Sequence, residues 1–200
     1  MIIGVDLDNT IVSYDALYHR LALENGLIPQ EIPISKQAVR DHIWKTVGDL
    51  PWQHLQAEAY GPRMAEAKLI LDAYGFFRRA ARTGATMFII SHKTMYARRD
   101  RAGTNLHRTA MDWLTLQGFF DDPEIHLSRE NVFFEATCME KIRRIRAIGC
   151  QIHIDDLEEV LVQPGLDGIR RIRLGPDRPG GNPDITYCST WKAIEARVFG

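Results

Sequence analysis

The chain has 200 residues, of which 45% are hydrophobic and 26% are charged, and its formal net charge at pH 7 is −1. This near-neutral balance supplies no general basic field for nucleic acid or for an anionic membrane, and no apolar segment reaches the length of a membrane span. We therefore expect a globular protein of one domain, with room for a small insert and without a membrane partner.

The first residues and the cysteines both bear on location. Met1 runs directly into an apolar strand pattern, so we expect no cleaved leader. Cys138, Cys150 and Cys188 are odd in number and lack metal-ligand spacing, which predicts reduced and mostly buried thiols. These features together predict a cytoplasmic protein.

The chain begins with a strand at Ile2–Val5, and about sixty residues of helical character follow it. Caps and glycine or proline breaks predict helices at Tyr14–Asn25 with Ser13 as cap, from Ser35 to Gly48, at Pro51–Tyr60 and at Arg63–Tyr74. We interpret residues 13–74 as a helical insert. Because the insert begins and ends beside the same sheet edge, we expect it to act as a lid.

Helices and strands alternate from residue 75 onward, which is typical of a parallel α/β sheet. Unbroken apolar runs predict strands that are buried on both faces. After the first strand, the expected strands are Ala85–Ile90, Val132–Phe134, Gln151–Ile154 and Ile169–Leu174. The expected helices are Gly75–Thr83, Thr104–Gln117, one capped by Thr137, Leu157–Val162 and Thr190–Val198 with Ser189 as cap. Residues 1–12 and 75–200 are therefore predicted to form an α/β core.

Three of the predicted strands end in polar residues, and a lysine begins a helix between the second and the third. The residues are Asp6, Asp8, Ser91, Lys141, Asp155 and Asp156. Ligands bind at the carboxyl edge of open α/β sheets, so we expect these side chains to converge there. Crowded carboxylates repel each other unless a cation or a proton relieves the cost, and hard oxygen ligands favour Mg²⁺.

The reaction that fits this set is phosphoryl transfer to a carboxylate. An aspartate is ionised at neutral pH and can attack phosphorus directly, which gives an aspartyl-phosphate. A metal and a lysine hold the equatorial oxygens and offset their charge. A second carboxylate donates a proton to the leaving oxygen and later accepts one from water.

The order of these residues resembles the four motifs of the haloacid dehalogenase (HAD) superfamily. The matching stretches are Asp6-Leu7-Asp8-Asn9-Thr10, an apolar strand with Ser91, then Lys141, then an apolar strand with Asp155-Asp156. The resemblance implies a Rossmann-like three-layer parallel sheet and a Mg²⁺-dependent phosphatase. The helical insert resembles the C1 type of cap of that superfamily. Because Asp8 is a carboxylate, the resemblance is to the phosphatase branch rather than to the dehalogenases.

The resemblance also implies roles for the matching residues. Asp6 matches the nucleophile and a metal ligand. Asp8 matches the general acid/base, with its backbone carbonyl on the metal. Asp155 matches the metal-binding acid, and Asp156 either supports it or binds through water. Thr10 helps to shape the turn after the nucleophile.

The phosphate-binding groups come from the second and third motifs. Ser91 matches the phosphate-binding hydroxyl, and Lys141 matches the lysine that neutralises charge. Lys93 directly follows the second motif and stays open as a substrate ligand, as do His92 and Thr10. Lys93 also begins a basic loop with Arg98, Arg99 and Arg101, which is either a solvated charged loop or a binding surface for a second phosphate or an acidic substrate.

The sequence thus predicts a Mg²⁺-dependent phosphomonoester hydrolase with a small phosphorylated metabolite as its substrate. A basic loop after Ser91 keeps a nucleic-acid end phosphatase open as an alternative. A phosphotransferase is another, because the intermediate can pass to an acceptor other than water. A non-catalytic binding protein on the same fold is the alternative from a different functional class.

Overall fold

The computed structural model describes residues 1–100, 102–176 and 178–200. Arg101 of the predicted basic loop lies outside the described residues. The chain divides into two compact units. The first unit comprises residues 1–11, 69–93 and 118–200, and the second comprises residues 12–68 and 94–117. The second unit thus contains residues 94–117 in addition to most of the predicted insert.

The first unit is built on a parallel sheet of six strands. The strands of the chain are β1 Ile2–Val5, β2 Val12–Ser13, β3 Lys68–Leu69, β4 Thr86–His92, β5 Val132–Glu135, β6 Ile152–Asp155, β7 Arg170–Leu174 and β8 Ile185–Cys188. The six-stranded sheet has the order β5-β4-β1-β6-β7-β8, and all its neighbouring strands are parallel. β2 and β3 form a separate two-stranded sheet. The predicted α/β Rossmann-like fold is therefore confirmed.

Eight α-helices occur in the described part of the chain. They are α1 Asp15–Glu24, α2 Lys36–Thr46, α3 Asp49–Tyr60, α4 Ala73–Arg82, α5 Leu106–Leu116, α6 Cys138–Ile148, α7 Glu158–Leu161 and α8 Trp191–Phe199. Helices α1, α2, α3 and α5 belong to the second unit, and the others flank the sheet of the first. Among the described residues, no helix combines the length and apolar character that a membrane span requires.

Apolar contacts join the helices of the first unit to the sheet and to each other. Ile90 of β4 packs with Ile142 and Ile145 of α6. Elsewhere, Phe76 of α4 packs against the Trp191 ring of α8 at 4.8 Å between ring centroids. Burial of such side chains contributes about 1.5–3 kcal/mol each, so these contacts stabilise the packing of α6, which carries Lys141, and of α4 against α8.

The prediction of a helix at Arg63–Tyr74 is wrong. A short 3-10 helix, Met64–Glu66, and strand β3 occupy its first part, and α4 begins only at Ala73. The backbone N–H of Ile70 donates to the carbonyl of Ile11 at 2.8 Å, so this segment uses its backbone groups outside a helix. The glycine and proline breaks used for the prediction did not reveal that pairing.

Some of the predicted helix caps are confirmed, and others are wrong. Ser35 Oγ accepts a hydrogen bond from the N–H of Ala38, and Thr137 Oγ1 accepts one from the N–H of Glu140, as predicted. Ser13 does not cap α1, because it lies in strand β2 and makes no cap hydrogen bond. Thr190, rather than the neighbouring serine, caps α8.

Candidate active site

The sheet brings the ends of β1, β4 and β6 to one edge. β1 lies between the other two strands and is parallel to both. The backbone N–H of Asp6 donates to the carbonyl of Ile154 at 2.9 Å, so Asp6 extends the pairing of β1 with β6 by one residue. This pairing places Asp6 beside Asp155, the last residue of β6.

Lys141 links the two carboxylates. Its Nζ donates to Asp6 Oδ1 at 2.6 Å and to Asp155 Oδ2 at 2.7 Å. The lysine side chain is 1% exposed, and it lies in the first turn of α6, whose start is fixed by the Thr137 cap. A buried ammonium between two carboxylates offsets their mutual repulsion. This contact agrees with the charge-neutralising role expected of Lys141.

Asp156 adds a third carboxylate to the cluster. Oxygen atoms of Asp6, Asp155 and Asp156 all lie within 4.8 Å of one another. Thr10 Oγ1 lies 3.4 Å from Asp6 Oδ2 and 3.4 Å from Asp156 Oδ1, so the hydroxyl lies between two of these acids. A compact set of hard oxygen donors fits Mg²⁺.

Burial and charge move the pKa values within the cluster in opposite directions. Burial and the neighbouring carboxylates raise the pKa of Asp6 above its usual range, although Lys141 lowers it. Burial alone would raise the pKa of Asp155, but Lys141 and His153 more than offset this effect and hold it below its usual range. Burial lowers the pKa of Lys141, yet the two carboxylates raise it further, so the ammonium stays charged.

Asp8 faces a different cation. Lys93 Nζ lies 2.8 Å from Asp8 Oδ2 and 3.1 Å from Asp8 Oδ1, and both side chains are largely buried. The side chain of Asp8 is not among the three close carboxylates. The sequence left Lys93 open as a substrate ligand. In the structure it forms an ion pair with Asp8, the residue predicted to be the general acid/base.

Ser91 and His92 lie next to each other in β4 but differ in their surroundings. The hydroxyl of Ser91 is buried and has no hydrogen-bond partner among the described residues. Buried hydroxyls are nearly always partnered, so this one is available to a ligand oxygen. His92 is exposed, and its Nε2 lies 3.1 Å from the carbonyl oxygen of Ala136, so the structure does not bring it into the cluster.

His153 is a member of the cluster that sequence reasoning missed. Its Nε2 donates to Asp155 Oδ2 at 3.0 Å, and burial lowers the pKa of the imidazole. Residues two apart in a strand point to the same face, so His153 and Asp155 carried a readable signal. A Cβ on Gly4 would lie 3.1 Å from His153 Nδ1, which explains why the facing position in β1 is glycine.

The fold is shared with solved hydrolases, although the sequence is distant from them. No protein-family model and no curated protein matches the sequence. A HAD-superfamily hydrolase from Ehrlichia chaffeensis superposes with a TM-score of 0.57 at 11% identity, over 98% of this chain and 94% of that one. A haloacid dehalogenase-like family hydrolase from Xanthomonas campestris gives 0.55 at 12% identity, over 99% and 94%. The chain therefore has the fold of these two HAD hydrolases.

Proposed function

We propose that this protein is a Mg²⁺-dependent phosphomonoester hydrolase of the HAD superfamily, with Asp6 as its nucleophile. The observation that carries the proposal is the buried contact of Lys141 with both Asp6 and Asp155, beside a third carboxylate. That set supplies a nucleophile, a counter-charge and metal ligands within one small volume. The two structural neighbours are described as hydrolases, which agrees with this class.

In the proposed reaction, a carboxylate oxygen of Asp6 attacks phosphorus, and the bond from phosphorus to the ester oxygen breaks. Asp8 gives a proton to the leaving alkoxide. Asp8 then accepts a proton from water as the water attacks phosphorus, and the bond to Asp6 breaks to release phosphate. Lys93 orients Asp8 for both transfers.

The remaining groups bind rather than react. The Ser91 hydroxyl donates a hydrogen bond to a phosphoryl oxygen, and Lys141 offsets the charge near Asp6. Asp6, Asp155 and Asp156 would hold Mg²⁺, together with the Asp8 carbonyl that the resemblance implies. When bound, the ion offsets negative charge on the transferring group.

The finer parts of the proposal concern substrate, cap and location. We infer a small phosphorylated metabolite as substrate, the phosphatase branch of the superfamily, and a C1 type of cap formed by the predicted insert at residues 13–74. A cytoplasmic location agrees with the buried Cys150 and Cys188 and the half-buried Cys138.

The Asp6→Asn variant tests the nucleophile. With Mg²⁺ and an aryl phosphate, we expect its turnover to fall by at least about 10³-fold, because the amide cannot attack phosphorus. The matched control is Asp167→Asn, which changes an exposed aspartate of the same unit and should keep wild-type turnover. Near-wild-type activity of Asp6→Asn would refute the assignment, and activity that survives chelation would refute the metal requirement.

The Asp8→Asn variant tests proton transfer separately. Asparagine cannot donate a proton to the leaving group or accept one from water, so both steps should slow. We expect the steady-state rate to fall and phosphate to remain covalently attached to the protein for longer after rapid mixing. Rapid wild-type turnover would show that another group moves the proton.

A further inference from the structure

The second unit contains a pocket that the proposed reaction does not use. Its volume is ≈ 530 Å³, within the range of about 300–1,000 Å³ that small-molecule sites occupy. All of its lining residues belong to the second unit, and cationic and aromatic side chains are prominent among them. These side chains are Lys36, Arg40, Trp44, Trp52, Tyr60 and Arg98.

Two helices, α2 and α3, build most of this lining, in part through residues spaced four apart. On α2, the stripe is Lys36, Arg40 and Trp44, while Val39 and Ile43 on another side of the helix are buried. Residues four apart lie on the same face of a helix, so the polar and aromatic stripe is separate from the packing stripe. Trp52, Gln56 and Tyr60 repeat the same spacing on α3. These stripes are consistent with a face shaped to hold a ligand.

The charge of the pocket favours an anion. Lys36, Arg40 and Arg98 line it, with Asp49 as an acidic residue in the lining. Arg98 makes no ion pair within the described parts of the chain. Arg40 contacts Asp41 at 2.9 Å, but the Arg40 side chain is only half-buried and that of Asp41 is exposed, and such surface pairs are weak. The guanidinium groups of Arg40 and Arg98 are therefore available to bind a phosphate group.

The aromatic rings of the pocket are held in place. Trp52 stacks on Tyr18 with 4.7 Å between ring centroids. Trp44 Nε1 donates to Asp49 Oδ1 at 3.0 Å, and the Arg40 guanidinium lies 4.9 Å from the centre of the indole ring. Despite these contacts Trp44 remains 48% exposed. A large aromatic surface is thus fixed in orientation yet open to a planar group.

We propose that this pocket binds a nucleoside phosphate. The base stacks on Trp44, the side-chain amide of Gln56 meets its polar edge, and the phosphate pairs with Arg40 and Arg98. Stacking between bases and aromatic side chains contributes substantially to nucleotide binding, and guanidinium groups suit phosphate. A sugar phosphate would use the cations but leave the indole surface uncovered. This inference stands apart from hydrolysis, because binding is measured without turnover.

The test is an equilibrium titration of the Asp6→Asn protein in chelator, followed by calorimetry. The probes are AMP, adenosine, ribose 5-phosphate and inorganic phosphate. We expect saturable binding of AMP at one site, at least roughly tenfold tighter than that of the other three probes, because only AMP offers both a base and a phosphate. Equal affinity for ribose 5-phosphate, or no saturable binding of AMP, would overturn the proposal.

Variants then locate the site. Arg40→Gln and Trp44→Leu change exposed or half-buried side chains, and each should weaken AMP binding roughly tenfold. The matched control is Arg108→Gln, a well-exposed arginine of the same unit that pairs with Asp112 outside the pocket. Undiminished AMP binding by both pocket variants, or an equal loss in the control, would place the nucleotide elsewhere and refute the assignment. Circular dichroism confirms that each variant is folded.

Discussion

The two compact units each contain a cluster of opposite charges, and the clusters differ in burial. In the first unit, Lys141 bridges Asp6 and Asp155, and the lysine side chain is 1% exposed. In the second, Arg63 contacts Glu24, Glu58 and Glu66, and its side chain is 29% exposed. The contacts have similar chemistry, but water screens only the second cluster.

This difference indicates what each cluster is for. Removing charges from water costs several kcal/mol per ion, and a buried pair often stabilises a protein no better than apolar residues of the same size. Exposed pairs cost little and contribute little. The buried cluster is therefore poorly explained as a device for stability, which supports the reaction proposed for its three carboxylates.

The largest effect is expected from Lys141→Met. Loss of the ammonium leaves the Asp6 and Asp155 carboxylates buried without their counter-charge, so the free energy of unfolding should fall by about 3–5 kcal/mol. Urea denaturation in chelator measures this change. Arg63→Met is the matched control from the exposed cluster and should change stability far less. Equal losses in the two variants would contradict the contrast between buried and screened charges.

A smaller loss is expected from His153→Leu. The variant removes the hydrogen bond that His153 Nε2 donates to the buried carboxylate of Asp155, and such a loss costs about 1–3 kcal/mol. Thermal or urea unfolding measures it. His153→Gln retains an amide donor and should lose less. If His153→Leu were as stable as the wild-type protein, Lys141 and the backbone would be sufficient partners for Asp155.

The smallest effect is expected from Glu66→Gln. Glu66 contacts both Arg20 and Arg63 at the surface of the second unit. Salt screens exposed charges, so any loss of stability in dilute buffer should vanish at high ionic strength. Unfolding measured at low and at high salt tests this expectation. A loss that persists in high salt would show that packing, rather than charge, accounts for it.

Most strands of the sheet, and the proximity of acidic residues that lie far apart in the chain, could be predicted from the sequence. The apolar runs before Asp6 and Asp155 indicated parallel buried strands, and parallel strands present their carboxyl ends at one edge. The structure does bring these two residues together with Lys141. The chemical roles of these residues remain predictions that the proposed variants test.

Other features depend on pairings that local patterns do not encode. Strand β8 was missed, because Ile185–Cys188 is short and follows a loop rich in proline and glycine. The break at Gly61-Pro62 led to the prediction of a new helix over 63–74, whereas the backbone of this segment contributes to β3 and to the hydrogen bond from Ile70 to Ile11. His153 is different, because its spacing of two from Asp155 within β6 was a local signal that the sequence reasoning did not use.

The central position of β1 has a consequence for synthesis of the protein. β1 is synthesised before β4 and β6, the two neighbours that pair with it through Thr86 and Ile152. Asp6 gains its contact with the ammonium of Lys141 only after the ribosome has synthesised that residue, 135 residues further along the chain. Contacts this distant slow folding and leave unpaired strand edges exposed in the meantime. A nascent chain that stops before β6 therefore exposes an apolar strand edge that is prone to aggregate.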